Sequence, residues 1–98
     1  MAAAVNPVHS QQFRPGKWRG PLHGIPVAFK DMYDTVGIRT TAAFQFFKDR
    51  VPQRHAVAVK ALTDAGAILI GKTNMHTLAM GTTSLESAFG AVRNPWNP

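Results

Sequence analysis

Two short apolar runs, Ile25–Phe29 and Ala67–Ile70, bracket a stretch with helical periodicity, and that order limits the folds open to this chain. From Arg54 onward the pattern is helical. Ala58, Ala61, Leu62 and Ala65 recur at i, i+3, i+4 and i+7, a spacing that gathers apolar side chains into one stripe. Gly66 then stands where a left-handed residue ends a helix. The second run, Ala-Ile-Leu-Ile, has no polar alternation, as in a strand covered on both faces. Strand, helix, strand predicts an α/β class with a parallel, right-handed crossover. The long connection between Phe29 and the helix leaves open whether the two strands are neighbours.

The first run ends on a charged pair, Lys30–Asp31. Pro21 and Pro26 restrict the backbone leading into it, and Gly20 and Gly24 free it. A strand that stops at a lysine holds the root of that side chain rigid, and ligands of open α/β sheets bind at the carboxyl ends of strands. A lysine partly desolvated there is pushed toward its neutral form and can act as a base. On spacing alone, a solvated Lys–Asp pair at a strand end is the favoured reading.

Elsewhere the pattern is looser. Residues 1–19 read as an N-terminal arm, anchored only by Val5, Val8, Phe13 and Trp18, with disorder the default for such a terminus. Asp34–Thr41 turns at Gly37 into a short extended segment. Phe44, Phe46 and Phe47 are packing residues, in one helical turn or an irregular plug. Gly71–Asn74 leaves the second strand. Asn74 is placed to cap a short helix, Met75–Met80, that stops at Gly81. Ala91–Pro98 is punctuated by prolines and is neither helix nor central strand.

Composition removes several functions. The chain has no cysteine, which excludes disulfides, thiol catalysis and cysteine-bound metal. His9, His23, His55 and His76 lack the spacing of a metal site, so no metal site is expected. The net charge is +6, but the basic residues are scattered, with a loose cluster at Arg14, Lys17 and Arg19. No specific nucleic-acid recognition is expected from them. The first residues do not read as a signal peptide, and no apolar run approaches membrane-spanning length. A cytoplasmic protein without membrane contact is the resulting expectation.

Five segments in order carry more than any one of them: GPLHGIPVAFKD, Thr40–Thr41, Val51–Pro52, TDAGAILIGKTNMH and FGAVRNPWNP. Together, from Gly20 to Pro98, they resemble the amidase signature family. The resemblance implies an α/β fold with a large mixed sheet flanked by helices, of which residues 20–98 are an N-terminal fragment. It also implies hydrolysis of carboxamide C–N bonds, without a cofactor, by a serine, a cis-serine and a lysine. Carried over, the lysine is Lys30, the ultimate base. Both serines belong to segments beyond Pro98, where the family has its Gly/Ser-rich loop, so this chain alone is expected to be inactive. Ser84 and Ser87 precede that loop and read as loop residues.

Asp31 either orients Lys30 or caps a turn. Lys72, Thr73 and Asn74 either line the pocket or form a turn and helix cap. His23 and His76 read as packing or surface residues, and Met75, Met80 and Trp96 as core or pocket wall. Three features depart from the family pattern. Ala43 and Phe44 stand where Gly-Ser is common after the threonines. Thr77 replaces a carboxylate and removes half a capping box. The segment before Gly20 is short.

The resemblance implies a small-molecule amide as substrate of the complete enzyme. Within the family, the alternative is the glutaminase-type subunit of a tRNA-dependent amidotransferase. Outside it stand an inactive remnant or partner-binding module, and a basic binding module that rests on charge alone. The resemblance leaves the particular amide and the oligomeric state open.

Overall fold

The computed structural model describes residues 17–97. Residues 1–16, most of the expected arm with His9, lie outside them. The described elements are strand β1, Pro26–Lys30, helix α1, Val57–Asp64, and strand β2, Ile68–Thr73, with two short 3-10 turns at Gln45–Phe47 and Thr77–Ala79. The two strands pair in parallel, which settles the adjacency that the sequence leaves open. The class is α/β, with a two-stranded sheet and one α-helix among the described residues.

β1 alternates. Val27 and Phe29 turn inward, while Pro26, Ala28 and Lys30 are exposed. Pro26 opens the strand, where its missing N–H costs least. Phe29, Val59 and Leu69 form the buried centre, with Val27, Ile38, Ala56 and Leu62 packed around it. Each fully buried apolar side chain of this size contributes about 1.5–3 kcal/mol as an upper estimate, so three of them make a small core.

The helix begins at Val57, not Arg54, and its covered face overlaps the predicted stripe only at Leu62 and Ala65. Val59 is fully buried and Leu62 half-buried, whereas Ala58 and Ala61 are exposed. The phase is set by Val59, which packs on Phe29 and Leu69, while Val57 stays 87% exposed. The stop is as expected. The Gly66 N–H donates to the Thr63 carbonyl at 3.0 Å and the Ala67 N–H to Leu62 at 3.1 Å, with Gly66 at φ +101°. This is a Schellman ending.

The Gly20–Gly24 turn docks on that ending through a 2.9 Å bond from the Leu22 N–H to the Ala65 carbonyl. Gly20 has φ +137°, and a Cβ there would lie 2.6 Å from the Ala65 carbonyl oxygen. A glycine is required at this close approach.

β2 runs three residues past its expected end and takes in Gly71, Lys72 and Thr73. It also carries a bulge. Val27 pairs with Leu69 but Ala28 pairs with Gly71, leaving Ile70 as the extra residue. Ile70 is 52% exposed, so only one face of this strand is covered, contrary to the expectation from its apolar run. No described element packs over the face that carries Ala28 and Lys30.

The predicted helix Met75–Met80 is instead a 3-10 turn over Thr77–Ala79, with Leu78 at φ 52°. Asn74 does not cap it. Its side chain is bonded to Met75, Ser87 and Gly90, and Thr77 Oγ1 donates to the Ala43 and Glu86 carbonyls. Met75 is buried, whereas Met80 and Trp96 are exposed. The three phenylalanines pack mainly on one another, with ring centroids 5.5–6.2 Å apart, and Phe46 is 82% exposed.

Candidate active site

Lys30 is the last residue of β1 and Thr73 the last of β2, and the two are register partners. The Asp31 N–H extends the ladder by one bond, donating to the Thr73 carbonyl at 3.0 Å. The chain then turns sharply, with the Tyr33 N–H donating to the Lys30 carbonyl at 3.0 Å. The root of Lys30 is thus held between a strand and a tight turn, and its side chain is exposed on the uncovered face.

The bulge decides where Lys72 goes. Paired residues of parallel strands project to the same face, and one extra residue reverses the alternation that follows it. Without Ile70 as an extra residue, Lys72 would face Lys30. With it, Lys72 pairs with Phe29 on the core side. Its side chain is only 11% exposed. Burial holds the ammonium below the ordinary lysine value, and the Asp31 carboxylate beside it offsets only part of that.

Three acceptors surround Lys72 Nζ. The Tyr33 carbonyl and Thr40 Oγ1 each lie at 2.8 Å, and Asp31 Oδ1 lies at 3.5 Å. An ammonium has three N–H donors, so this arrangement satisfies the charged form. The other Asp31 oxygen, Oδ2, accepts from the Thr41 N–H at 3.1 Å and from the Thr41 hydroxyl. Thr40 and Thr41 are both buried. The Ala42 N–H donates to the Asp31 carbonyl at 2.8 Å.

The network continues through strained backbone. Ala42 and Ala43 have φ 52° and 54°, and Leu78 and Ala79 have φ 52° and 59°. The two left-handed pairs touch: the Leu78 N–H donates to the Ala42 carbonyl at 2.8 Å, and the Ala43 carbonyl accepts from Ala88 N–H and Thr77 Oγ1. Left-handed alanine costs about 1–2 kcal/mol per residue. Ala43 is fully buried where the resemblance leads one to expect glycine, so this chain meets that cost without glycine.

Of the residues singled out from sequence, the fold gathers Lys30, Asp31, Lys72 and Thr73 at one end of the sheet. Asn74 turns away and staples the strand end to the loop, with Nδ2 donating to the Gly90 carbonyl at 2.8 Å and Oδ1 accepting from Ser87 Oγ at 2.8 Å. Ser87 Oγ also accepts from the Phe89 N–H, and Ser84 lies in the same loop. His23 Nδ1 accepts from the Arg19 N–H and its ring stacks on Trp18. His76 Nε2 lies 3.7 Å from Glu86. The sequence reading missed the work of Thr40 and Thr41 in holding Lys72 and Asp31. Two adjacent threonines in a loop were the available signal.

No cluster of three or more His, Cys, Asp or Glu suited to a metal ion occurs among the described residues. No helix among them is long and apolar enough to cross a membrane.

A parallel strand pair with a lysine at its carboxyl end, buttressed by a part-buried Lys–Asp–Thr cluster, defines an α/β protein with a polar site at the sheet end. The family model described as Amidase matches residues 3–98, and the chain belongs to the amidase signature family. Two similar relatives are subunits of glutamyl-tRNA(Gln) amidotransferases. The mitochondrial one of Mus musculus is 48% identical over 86 residues, covering 88% of this chain. That of Agathobacter rectalis is 49% identical over 82 residues, covering 84% of this chain. The chain spans 16% of the length of each of these relatives.

Among solved structures, native peptide amidase from Stenotrophomonas maltophilia superposes with a TM-score of 0.77 at 35% identity. The match covers 93% of this chain and 20% of that one. The corresponding glutamyl-tRNA(Gln) amidotransferase subunit from Thermotoga maritima gives 0.77 at 40% identity, over 83% of this chain and 18% of that one.

Proposed function

We propose that this chain is the lysine-bearing part of a hydrolase that cleaves carboxamide C–N bonds, and that Lys30 is its base. The observation that supports this is the placement of Lys30: last residue of β1, fixed by the Asp31–Thr73 and Tyr33–Lys30 bonds, in a chain of the amidase family. A serine hydroxyl is a weak nucleophile until a base takes its proton. In this reading Lys30 takes that proton through a relay serine, and a second serine attacks the amide carbonyl. The acyl-enzyme forms as ammonia or an amine leaves, and water then releases the carboxylate. Both serines lie outside these residues, so the 98-residue chain alone is proposed to be inactive, because such groups act as a unit.

Lys30 is exposed in the chain as it stands, and a base of this kind needs desolvation. The proposal therefore requires further protein over the bare face of β1. Asp31 and Thr73 hold the backbone on either side of Lys30. Cytoplasmic residence belongs to the same proposal, and cell fractionation checks it.

A second, narrower reading makes the substrate glutamine and the protein the glutaminase-type subunit of an amidotransferase. The 48% and 49% identities to amidotransferase subunits are its support. Ammonia release from glutamine in preference to peptide amides would support it.

The test of the main reading joins residues 1–98 at Pro98 to the remainder of the peptide amidase domain. Ammonia release from simple carboxamides is then measured, with circular dichroism on each variant. Lys30→Ala is expected to abolish turnover while the protein stays folded. Lys30→Arg is not expected to restore it, because guanidinium stays protonated. Near-unchanged turnover in Lys30→Ala removes Lys30 as the base.

A further inference from the structure

We infer that Lys72 is a positioning residue for Lys30: its ammonium clamps the turn that leaves Lys30 by holding Asp31, Tyr33 and Thr40 at once. The inference rests on the reading of Lys30 as the base. Lys72 comes from the neighbouring strand, and the bulge at Ile70 carries it to the core face, away from Lys30. It therefore does not touch the reacting atoms. What it touches is the backbone that sets where Lys30 begins.

The contacts span the turn. Asp31 is the residue after Lys30, and Tyr33 is the residue whose N–H closes the turn on the Lys30 carbonyl. Lys72 Nζ donates to the Tyr33 carbonyl at 2.8 Å and pairs with Asp31 at 3.5 Å, so both limbs of the turn meet one cation. The third contact, Thr40 Oγ1 at 2.8 Å, ties in the returning loop. Thr41 holds the remaining Asp31 oxygen.

The cluster is largely shielded from solvent, with side-chain exposures of 11% for Lys72 and 14% for Asp31. In such surroundings a fully satisfied polar network rigidifies, and a half-satisfied one is costly. A misplacement of about 1 Å at a reacting group lowers turnover about 100-fold. That is the order of effect a loosened turn would have on Lys30.

The experiment uses the joined protein. Lys72→Met keeps the length and apolar stem of the side chain and removes the charge and all three donors. It is expected to lower kcat by about 10- to 100-fold while KM stays within about twofold, since Lys72 lies on the core side of the sheet, away from the face that carries Lys30. Lys72→Arg keeps a charge beside Asp31, but a planar guanidinium does not match three acceptors arranged around a point. It is expected to recover thermal stability lost in Lys72→Met without recovering kcat. That split separates positioning from a purely structural role, in which kcat and stability would recover together.

Should Lys72→Met fail to fold, Thr40→Val removes one clamp acceptor at nearly constant shape. It is expected to lower kcat by about three- to tenfold.

Unchanged kcat in Lys72→Met, beside an inactive Lys30→Ala, overturns the clamp and leaves the base assignment standing. So does a loss that appears in KM alone, and in the fallback so does unchanged kcat in Thr40→Val. Full turnover in Lys30→Ala overturns the base assignment, and with it the positioning of Lys30.

Discussion

Lys30 and Thr73 are the last partners of the parallel ladder, and the Asp31 amide reaches past them to the Thr73 carbonyl at 3.0 Å. One backbone bond thus joins the residue after the lysine to the end of the second strand. It places Lys30 at a sheet terminus instead of on a free loop, where groups are held less precisely. Beyond the local turn closed by the Tyr33 N–H, two further segments fix this terminus: β2 on one side and the Thr40–Thr41 loop on the other. The stability of the helix ending and of that loop therefore bears on the site.

Gly66 is the residue on which the helix ending depends. At φ +101°, an added Cβ would lie 2.9 Å from His23 Cα. Backbone strain and backbone contact act together, and Gly66→Ala is expected to destabilise the joined protein by about 1–3 kcal/mol. Urea unfolding of the two proteins measures it. A loss below about 0.5 kcal/mol would mean that the turn at His23 yields freely.

The Asp34–Arg50 pair gives an acid-sensitive contribution. The Arg50 guanidinium bonds both Asp34 oxygens, at 2.7 and 2.8 Å. Its hydrogen bonds hold the carboxyl below the ordinary value of 3.8, against some desolvation that raises it. With the folded value depressed, the stabilisation is present above pH 3.8 and is lost as pH falls through the folded-state value. Side-chain exposures of 42% for Arg50 and 35% for Asp34 let solvent screen the pair, which keeps the effect under about 1 kcal/mol. The melting-temperature gap between wild type and Asp34→Asn is expected to shrink below pH 3.8. A gap that stays constant or widens with acid would rule the pair out as its source.

The isolated 98-residue chain is expected to be only marginally ordered. Its core centre is Phe29, Val59 and Leu69, while Val57 at 87%, Met80 at 83% and Trp96 at 94% exposure face solvent. Both strands also present unpaired edges among the described residues. A rise in fluorescence of a hydrophobic dye and a broad thermal transition are the expected observations. A sharp melt with dispersed amide resonances would contradict this expectation.

Sequence patterning by itself determined the order strand, helix, strand, the helix stop at Gly66, and a lysine at the carboxyl end of the first strand. These follow from local causes: an apolar run, a helical period, and a glycine free to take positive φ. The resemblance, carried by five spaced segments, set the family.

Only the tertiary structure decided which helix face is buried and where Lys72 points. Ala58, Ala61, Leu62 and Ala65 make a valid stripe, yet the helix settles on Val59 and Leu62, the side chains that meet Phe29 and Leu69 on the strands, while Val57 stays exposed. The run Ala-Ile-Leu-Ile is apolar at every position, so it carries no alternation from which to read a register. One extra residue, Ile70, sends Lys72 to the core side and leaves Lys30 on the bare face. The bulge is decided by pairing with a strand about forty residues away in sequence, through hydrogen bonds that no local pattern encodes.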